Sequence, residues 1–245
     1  YLYLILKRAP FRLSKEERNL SAVIGLTLHF MYLGGVFFAI SQGMPAGIAA
    51  TVTSLQPILV SLIGIRVLHE RLSRNQIAGL IFGFVGVSLV LSPAFNSTSE
   101  INYKGIIAIV IALAGSTIAT LIQKRGGSNV PLVAGTAFQY LIAATCFLVA
   151  AIATRGFRIE WNTKFIFALS WLIFALSVGA ILILLTLLKH GSASQVSSLL
   201  YLVPPATAIE ALFLFGEKLT LTEFAGIFLT AIGVFMVIHK RVVNR

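Results

Sequence analysis

The 245 residues carry 19 Lys and Arg against 8 acidic residues, a net charge of +11, and 58% are hydrophobic while only 11% are charged. Since a soluble fold needs more charged surface, this composition excludes a soluble enzyme, a nucleic-acid-binding domain and a disordered chain. Sparse basic charge between apolar runs is typical of a protein that crosses a lipid bilayer several times. The one cysteine, Cys146, excludes an intrachain disulfide and a multi-cysteine metal site.

Eight apolar runs reach the roughly 20 residues that a helix needs to cross the bilayer. They are too long and continuous for the alternating strands of a β-barrel, so the predicted fold class is an all-α membrane protein. In chain order the eight complete spans are predicted at residues 21–41, 47–66, 77–93, 105–122, 131–154, 165–188, 195–215 and 224–239. The apolar run at 1–6 is too short to span and precedes Lys7 and Arg8, which predicts the tail of a ninth helix.

The connections carry unequal basic charge. If Lys7–Arg18 is cytoplasmic and the spans alternate, 14 of the 19 Lys and Arg lie inside and 5 outside. Cytoplasmic connections are enriched in Lys and Arg, so this orientation is preferred and the C-terminus is predicted to be cytoplasmic. The expected location is the cell membrane.

Residues 43–90 resemble residues 191–237, with an offset of 148 that becomes 147 after a one-residue slip. The matched pairs are Gly43 with Gly191, Pro57 with Pro205, Glu70 with Glu217, Leu72 with Leu219, Gly79 with Gly226 and Gly86 with Gly233. The offset covers five helices, so the two copies enter the membrane in opposite directions, a plan common among secondary transporters. Residues 1–94 are then the remainder of a first repeat and 104–245 a complete second one. A ten-helix parent is expected, with about 44 residues upstream of this chain.

The matched segments resemble a known family. Six segments resemble the EamA-like branch of the drug/metabolite transporter superfamily. They are Gly43–Ala50, Gln56-Pro57, His69–Leu72, Thr120–Arg125, Pro204-Pro205 and Gly216–Leu219. The resemblance covers the whole chain but lacks the family's first span and most of its second. It implies a ten-helix carrier of two inverted EamA repeats with cytoplasmic termini, exporting or exchanging amino acids, other metabolites or drugs. These motifs mark the fold more than the cargo.

A sparse set of polar side chains lies within the apolar runs. Taken as a set on an apolar wall, such groups favour a cavity for a small amphipathic solute. Taken singly, each is better explained by hydrogen bonding between helices. The candidate substrate-binding residues are His29, Tyr32, Gln56, Gln139, Tyr140, Trp171, Tyr201 and Glu210. Glu210, an acid inside an apolar run, predicts either a contact to a substrate amine or coupling proton, or a residue that pairs with Lys218 near the helix end.

Pro57, Pro204 and Pro205 fall near the centres of their spans. Proline frees backbone carbonyls, so these positions predict either packing kinks or kinks that line the cavity. Ser73–Gln76 and Thr220–Glu223 fit capping boxes that open helices, and Glu70 and Glu217 are predicted to tie their loops together.

These patterns predict a secondary transporter for small amphipathic metabolites that works by alternating access between two inverted repeats. The alternatives are a nucleotide-sugar or phosphate-ester exchanger, which would need Lys or Arg at cavity depth, and a non-transporting membrane scaffold. An enzyme is not expected, because His69-Glu70 lacks a second histidine for H-E-x-x-H and no Ser–His–Asp set lies at membrane depth. No P-loop, cofactor or metal site is predicted.

Overall fold

The computed structural model describes residues 13–92, 102–126, 130–154, 161–206, 209 and 220–238. Every regular element among them is helical. We number the helices α1 Lys15–Ser41, α2 Ala46–Thr53, α3 Gln56–Val67, α4 Arg74–Val90, α5 Tyr103–Arg125, α6 Leu132–Thr154, α7 Thr163–Trp171, α8 Ile181–His190, α9 Ala193–Ser198 and α10 Leu221–Ile238.

Four helices of the described chain are long and apolar enough to cross a membrane, namely α1, α5, α6 and α10. Three of the other predicted spans coincide, at least in part, with shorter apolar helices, at Gln56–Val67, Arg74–Val90 and Thr163–Ala175. Much of the span predicted at 195–215 lies outside the described residues. An all-helical membrane fold is therefore confirmed for the described chain, while eight complete spans remain a prediction.

The span predicted at 47–66 is not one kinked helix but two helices, α2 and α3, separated at Ser54 and Leu55. Pro57 is the second residue of α3 and has no N–H, so the carbonyl of Thr53 cannot receive its usual helical hydrogen bond. The span predicted at 195–215 also changes geometry before its prolines, since α9 passes into a 3-10 turn at Leu199–Leu202.

Two helical spans contain long π-helical stretches that the sequence did not predict. One is Gly25–Gly34 inside α1, and the other, Leu172–Ala180, joins α7 to α8. Shifted by 148 residues, the first stretch falls on 173–182 and so matches the second to within one or two residues at each end. The π-helical turn is rare and is frequently found at functional sites.

Helices α4 and α10, at equivalent positions of the predicted repeats, pack tightly against each other in antiparallel directions. A Cβ atom added to Gly79 would lie 2.6 Å from the carbonyl oxygen of Gly233, and one added to Gly226 would lie 2.7 Å from that of Gly86. Only glycine permits this approach of two backbones. The two contacts exchange roles under the internal repeat, which matches Gly79 with Gly226 and Gly86 with Gly233.

Hydrogen bonds at one end of the bundle join helix ends that the predicted topology also places on the same side. Gln76 donates to the carbonyl of Val237 at 3.2 Å, and Gln195 donates to that of Ile238 at 3.2 Å.

Both predicted capping boxes are confirmed. Ser73 and Gln76 exchange side-chain to backbone bonds at the start of α4, as Thr220 and Glu223 do before α10.

The outer surface is apolar and the interior holds polar groups. Phe167, Phe174 and Phe228 are 72%, 73% and 70% exposed, whereas Gln56 and Gln139 are 4% and 3% exposed. This is the reverse of a soluble protein and suits a bundle whose outside faces lipid.

Candidate substrate cavity

A cavity of about 430 Å³ lies between α1, α3, α5, α8 and the α9 segment. Most of its wall is aliphatic, with a few polar side chains set into it. Those polar side chains belong to Tyr32, Gln56, Ser116, Thr120 and Ser197. An apolar chamber of this size with few polar groups is typical of a site for a small organic ligand.

A second chamber of about 70 Å³ adjoins the first at the break between α2 and α3. Four residues line both chambers, and they are Tyr32, Gln56, Leu200 and Val203. The other residues that line the small chamber are Ala50, Thr53 and Ser54 beside the helix break, and Pro204. The two chambers are therefore neighbours, a large apolar one and a compact one, with the four shared residues between them.

Gln56 is oriented by α5. Its Nε2 donates to the Thr120 hydroxyl at 3.1 Å and to the Ser116 carbonyl at 3.5 Å. The Thr120 hydroxyl donates its proton to the Ser116 carbonyl at 3.0 Å. Toward Gln56 the hydroxyl oxygen of Thr120 can therefore only accept a hydrogen bond. The amide nitrogen of Gln56 must therefore face α5, and its Oε1 remains as an acceptor.

His29, Gln139 and Tyr140 form a separate group between α1 and α6. The Nε2 of His29 lies 3.4 Å from Gln139 Oε1, and its ring lies 4.5 Å from that of Tyr140. These three are not among the residues that line either chamber. The structure brings them together as a contact between helices, the alternative that the sequence left open for each of them.

Tyr201 and Trp171 lie away from the chambers. Tyr201 is fully buried against α4, where a Cβ on Gly83 would lie 2.5 Å from its ring, and its hydroxyl has no hydrogen-bond partner among the described residues. Trp171 is 63% exposed on the outer surface. Pro57 and Pro205 are buried, and Pro204 lines the small chamber. Glu210 lies outside the described residues.

Sequence reasoning missed Ser116, Thr120 and Ser197. Ser116 and Thr120 are four residues apart, so they share one face of α5, a polar pair inside an apolar run that could have marked them. Ser197 carries no such signal. It lines the cavity from α9, whose first two residues lie against the Glu70 carboxylate.

Glu70 ties the first predicted repeat to the second at the end of the cavity. Its carboxylate accepts the backbone N–H of Ala193 at 2.8 Å and that of Ser194 at 3.4 Å, the first two residues of α9. A carboxylate is stabilised there by the free N–H groups and the positive end of the helix. This corrects the expectation that Glu70 ties its own loop. Glu217 lies outside the described residues.

Two further contacts close the same end. Ser61 and Ser194 hydroxyl oxygens lie 2.7 Å apart between α3 and α9. The Lys124 ammonium donates to the carbonyl of Leu188 at 3.2 Å and to that of Gly191, at the end of α8. Since Leu188 also lines the cavity, this cluster adjoins the end of the cavity that the charge pattern predicts to be cytoplasmic.

The described lining of the two chambers is uncharged at its side chains. None of the described residues that line the two chambers is Lys, Arg, Asp or Glu. The described residues also contain no group of three or more His, Cys, Asp or Glu that could hold a metal ion. The arrangement can hold a small solute by apolar contact and a few hydrogen bonds.

Comparisons with known proteins agree with this geometry. The family described as the EamA-like transporter family matches residues 1–92 and 103–239. The chain is 27% identical over 225 residues to the uncharacterized transporter YvbV of Bacillus subtilis, covering 90% of this chain and 70% of that protein. It is 28% identical over 233 residues to a probable amino-acid metabolite efflux pump of Escherichia coli, covering 91% of this chain and 77% of that protein.

A protein of the same name from Salmonella typhimurium is 27% identical over 223 residues, covering 86% of this chain and 74% of that protein. One solved crystal structure aligns with a TM-score of 0.75 over 93% of this chain and 77% of its own, at 19% identity. That last likeness is one of fold.

Proposed function

The chain belongs to the EamA-like transporter family, and we propose that it is a secondary transporter that moves small amphipathic metabolites by alternating access between two inverted repeats. The observation that carries this proposal is the cavity at the seam between the repeats. Tyr32 and Gln56 come from the predicted first repeat, while Thr120, Leu184 and Ser197 come from the second. A site shared by two halves can open to either side as the halves rock.

The proposed repeats are supported by three features of the fold. The π-helical stretches and the breaks before the prolines recur at an offset of about 148 residues. Helices α4 and α10 run antiparallel, as equivalent elements of inverted copies must. Their close contacts, Gly79 with Gly233 and Gly86 with Gly226, are reciprocal, which is the mark of a two-fold relation.

One state of the transport cycle is supported by the closed end of the cavity. Glu70, Lys124 and the Ser61–Ser194 pair all hold residues 188–194. Each contact is a small number of hydrogen bonds between rigid helices, so it can break without unfolding either repeat. We place this end in the cytoplasm because the basic connections lie there, with the end of α10 on the same side.

The cargo class follows from the lining. An apolar wall with neutral polar groups suits a solute with an apolar body and a small polar end. Two of the relatives are named as probable amino-acid metabolite efflux pumps, which agrees with such a cargo. The alternative, a nucleotide-sugar or phosphate-ester exchanger, is disfavoured because the described lining residues include no cation.

The test is flux of a solute panel into proteoliposomes containing the purified protein. The panel spans apolar and aromatic amino acids, aromatic amines, sugar phosphates and a nucleotide sugar. We expect saturable flux of the amphipathic solutes. Flux confined to phosphorylated anions would contradict the cargo class, and no flux of any solute by folded protein would contradict transport.

A pair of neighbouring variants tests the cavity itself. Leu184 lines the cavity, whereas Ile183 is 63% exposed on the outside of α8. Leu184→Trp fills the chamber and should abolish flux, while Ile183→Trp should keep it. Equal flux in the two variants would show that the solute takes another path.

A further inference from the structure

We propose that the small chamber at the break between α2 and α3 is a subsite for the N–H-bearing end of the solute, an ammonium or amide group, while the large chamber takes its apolar body. This inference rests on the proposed function and deepens it. The chamber has room for a compact group of a few non-hydrogen atoms, at about 70 Å³. It shares its boundary residues Tyr32 and Gln56 with the large cavity, so one solute can occupy both.

Three polar atoms at this break offer acceptor lone pairs, and the Ser54 and Tyr32 hydroxyls in the same wall can accept as well as donate. The Thr53 hydroxyl donates its proton to the carbonyls of Ala49 at 3.0 Å and Ala50 at 3.1 Å, which leaves its oxygen lone pairs. The Thr53 carbonyl has lost its helical donor because Pro57 has no N–H. Gln56 spends its N–H groups on α5, which leaves Oε1 as a third acceptor.

A subsite of acceptors selects its ligand by what the ligand can donate. An ammonium or amide N–H satisfies these oxygens, whereas a carboxylate would place negative charge against them in a largely apolar site. The Tyr32 ring at the boundary can also lie against an ammonium group. The structure therefore orders the ligands as amine and amide above carboxylate for the same apolar body.

The experiment measures equilibrium binding of three solutes that share a phenyl body to purified protein in detergent. The solutes are 2-phenylethylamine, phenylacetamide and phenylacetate. We expect the amine and the amide to bind, and phenylacetate to bind at least tenfold more weakly. Because binding is measured without flux, a defect in transport does not affect the result.

The variant Thr53→Val removes the hydroxyl at nearly constant volume. Losing one acceptor should weaken amine binding about three- to tenfold and leave phenylacetate unchanged or slightly tighter. The matched control is Thr145→Val, whose hydroxyl makes the same bond to the carbonyl four residues earlier, at 2.9 Å, but on an exposed face of α6. Its amine affinity should equal that of the wild type.

Two outcomes would overturn the subsite and leave the proposed function standing. One is phenylacetate binding as tightly as the amine, and the other is an unchanged amine affinity in folded Thr53→Val. Failure of all three solutes to bind would also overturn the subsite. If the flux panel also shows no transport of any solute, the proposed function falls with it.

Discussion

Replacing Glu70 should loosen the closed end of the cavity. The carboxylate makes one strong and one long hydrogen bond to the start of α9, at 2.8 Å and 3.4 Å. A hydrogen bond to a charged group contributes about 1.5–3 kcal/mol, and a carboxylate at a helix N-terminus about 0.3–1 kcal/mol. Since Glu70 is half-buried and the Lys124 and Ser61–Ser194 contacts remain, we expect Glu70→Ala to cost the closed state about 1.5–2 kcal/mol. That cost is roughly a 10- to 30-fold shift toward the state open at this end.

The shift is measurable as the labelling rate of a cysteine behind the closure. Replacing Cys146 with Ala removes the one native thiol, and Ser197→Cys places a thiol in the cavity wall. A membrane-impermeant maleimide added to inside-out vesicles should label this cysteine 10- to 30-fold faster in Glu70→Ala. Glu70→Gln keeps one neutral acceptor, so its labelling rate should fall between that of Glu70→Ala and that of the protein with Glu70 intact.

The control is Glu16→Gln, because Glu16 is an exposed acid at the same end of the bundle. Its labelling rate should equal that of the protein that carries only Cys146→Ala and Ser197→Cys. If Glu70→Ala is labelled no faster than Glu16→Gln, Glu70 does not hold the cavity closed.

Three further predictions concern packing, an unpaired hydroxyl and an acid. Gly79→Ala should destabilise the protein by about 1–3 kcal/mol, because its Cβ would meet the Gly233 carbonyl, and a lower thermal midpoint measures this. The control Gly64→Ala should leave the midpoint unchanged, because the nearest neighbour of its Cβ would lie at 3.7 Å. Tyr201→Phe should keep flux and stability, since the lost hydroxyl has no partner among the described residues, and a loss of flux would instead make that hydroxyl a ligand contact. Glu210→Gln should flatten the pH dependence of flux, and an unchanged pH profile would remove the coupling role.

The sequence predicted those parts of the fold that depend on hydropathy and on local chemistry. Long apolar runs place α5 and α6 to within two or three residues at each end. The capping boxes at Ser73 and Thr220 were readable because they need only side chains three residues apart.

The candidate site was predicted less well, because a periodic pattern says which face of a helix is polar but not what that face meets. Tyr32 and His29 share one face of α1, yet Tyr32 reaches the cavity and His29 meets Gln139 on α6. The π-helical turns between and around them shift the facing of the side chains, and nothing in the local sequence announces those turns. The role predicted for Glu70 was wrong because its hydrogen-bond partners lie 123 and 124 residues away, where a local pattern gives no information.

The most direct test of alternating access is a reversible cross-link across the closed end. The Ser61 and Ser194 oxygens lie 2.7 Å apart, close enough for two cysteines to form a disulfide of about 2.05 Å with little movement. In the Cys146→Ala background, the double variant Ser61→Cys and Ser194→Cys should lose flux on oxidation and regain it on reduction, while each single variant stays active. A cross-link that forms fully and leaves flux unchanged would contradict a transport cycle in which the two repeats separate at this end.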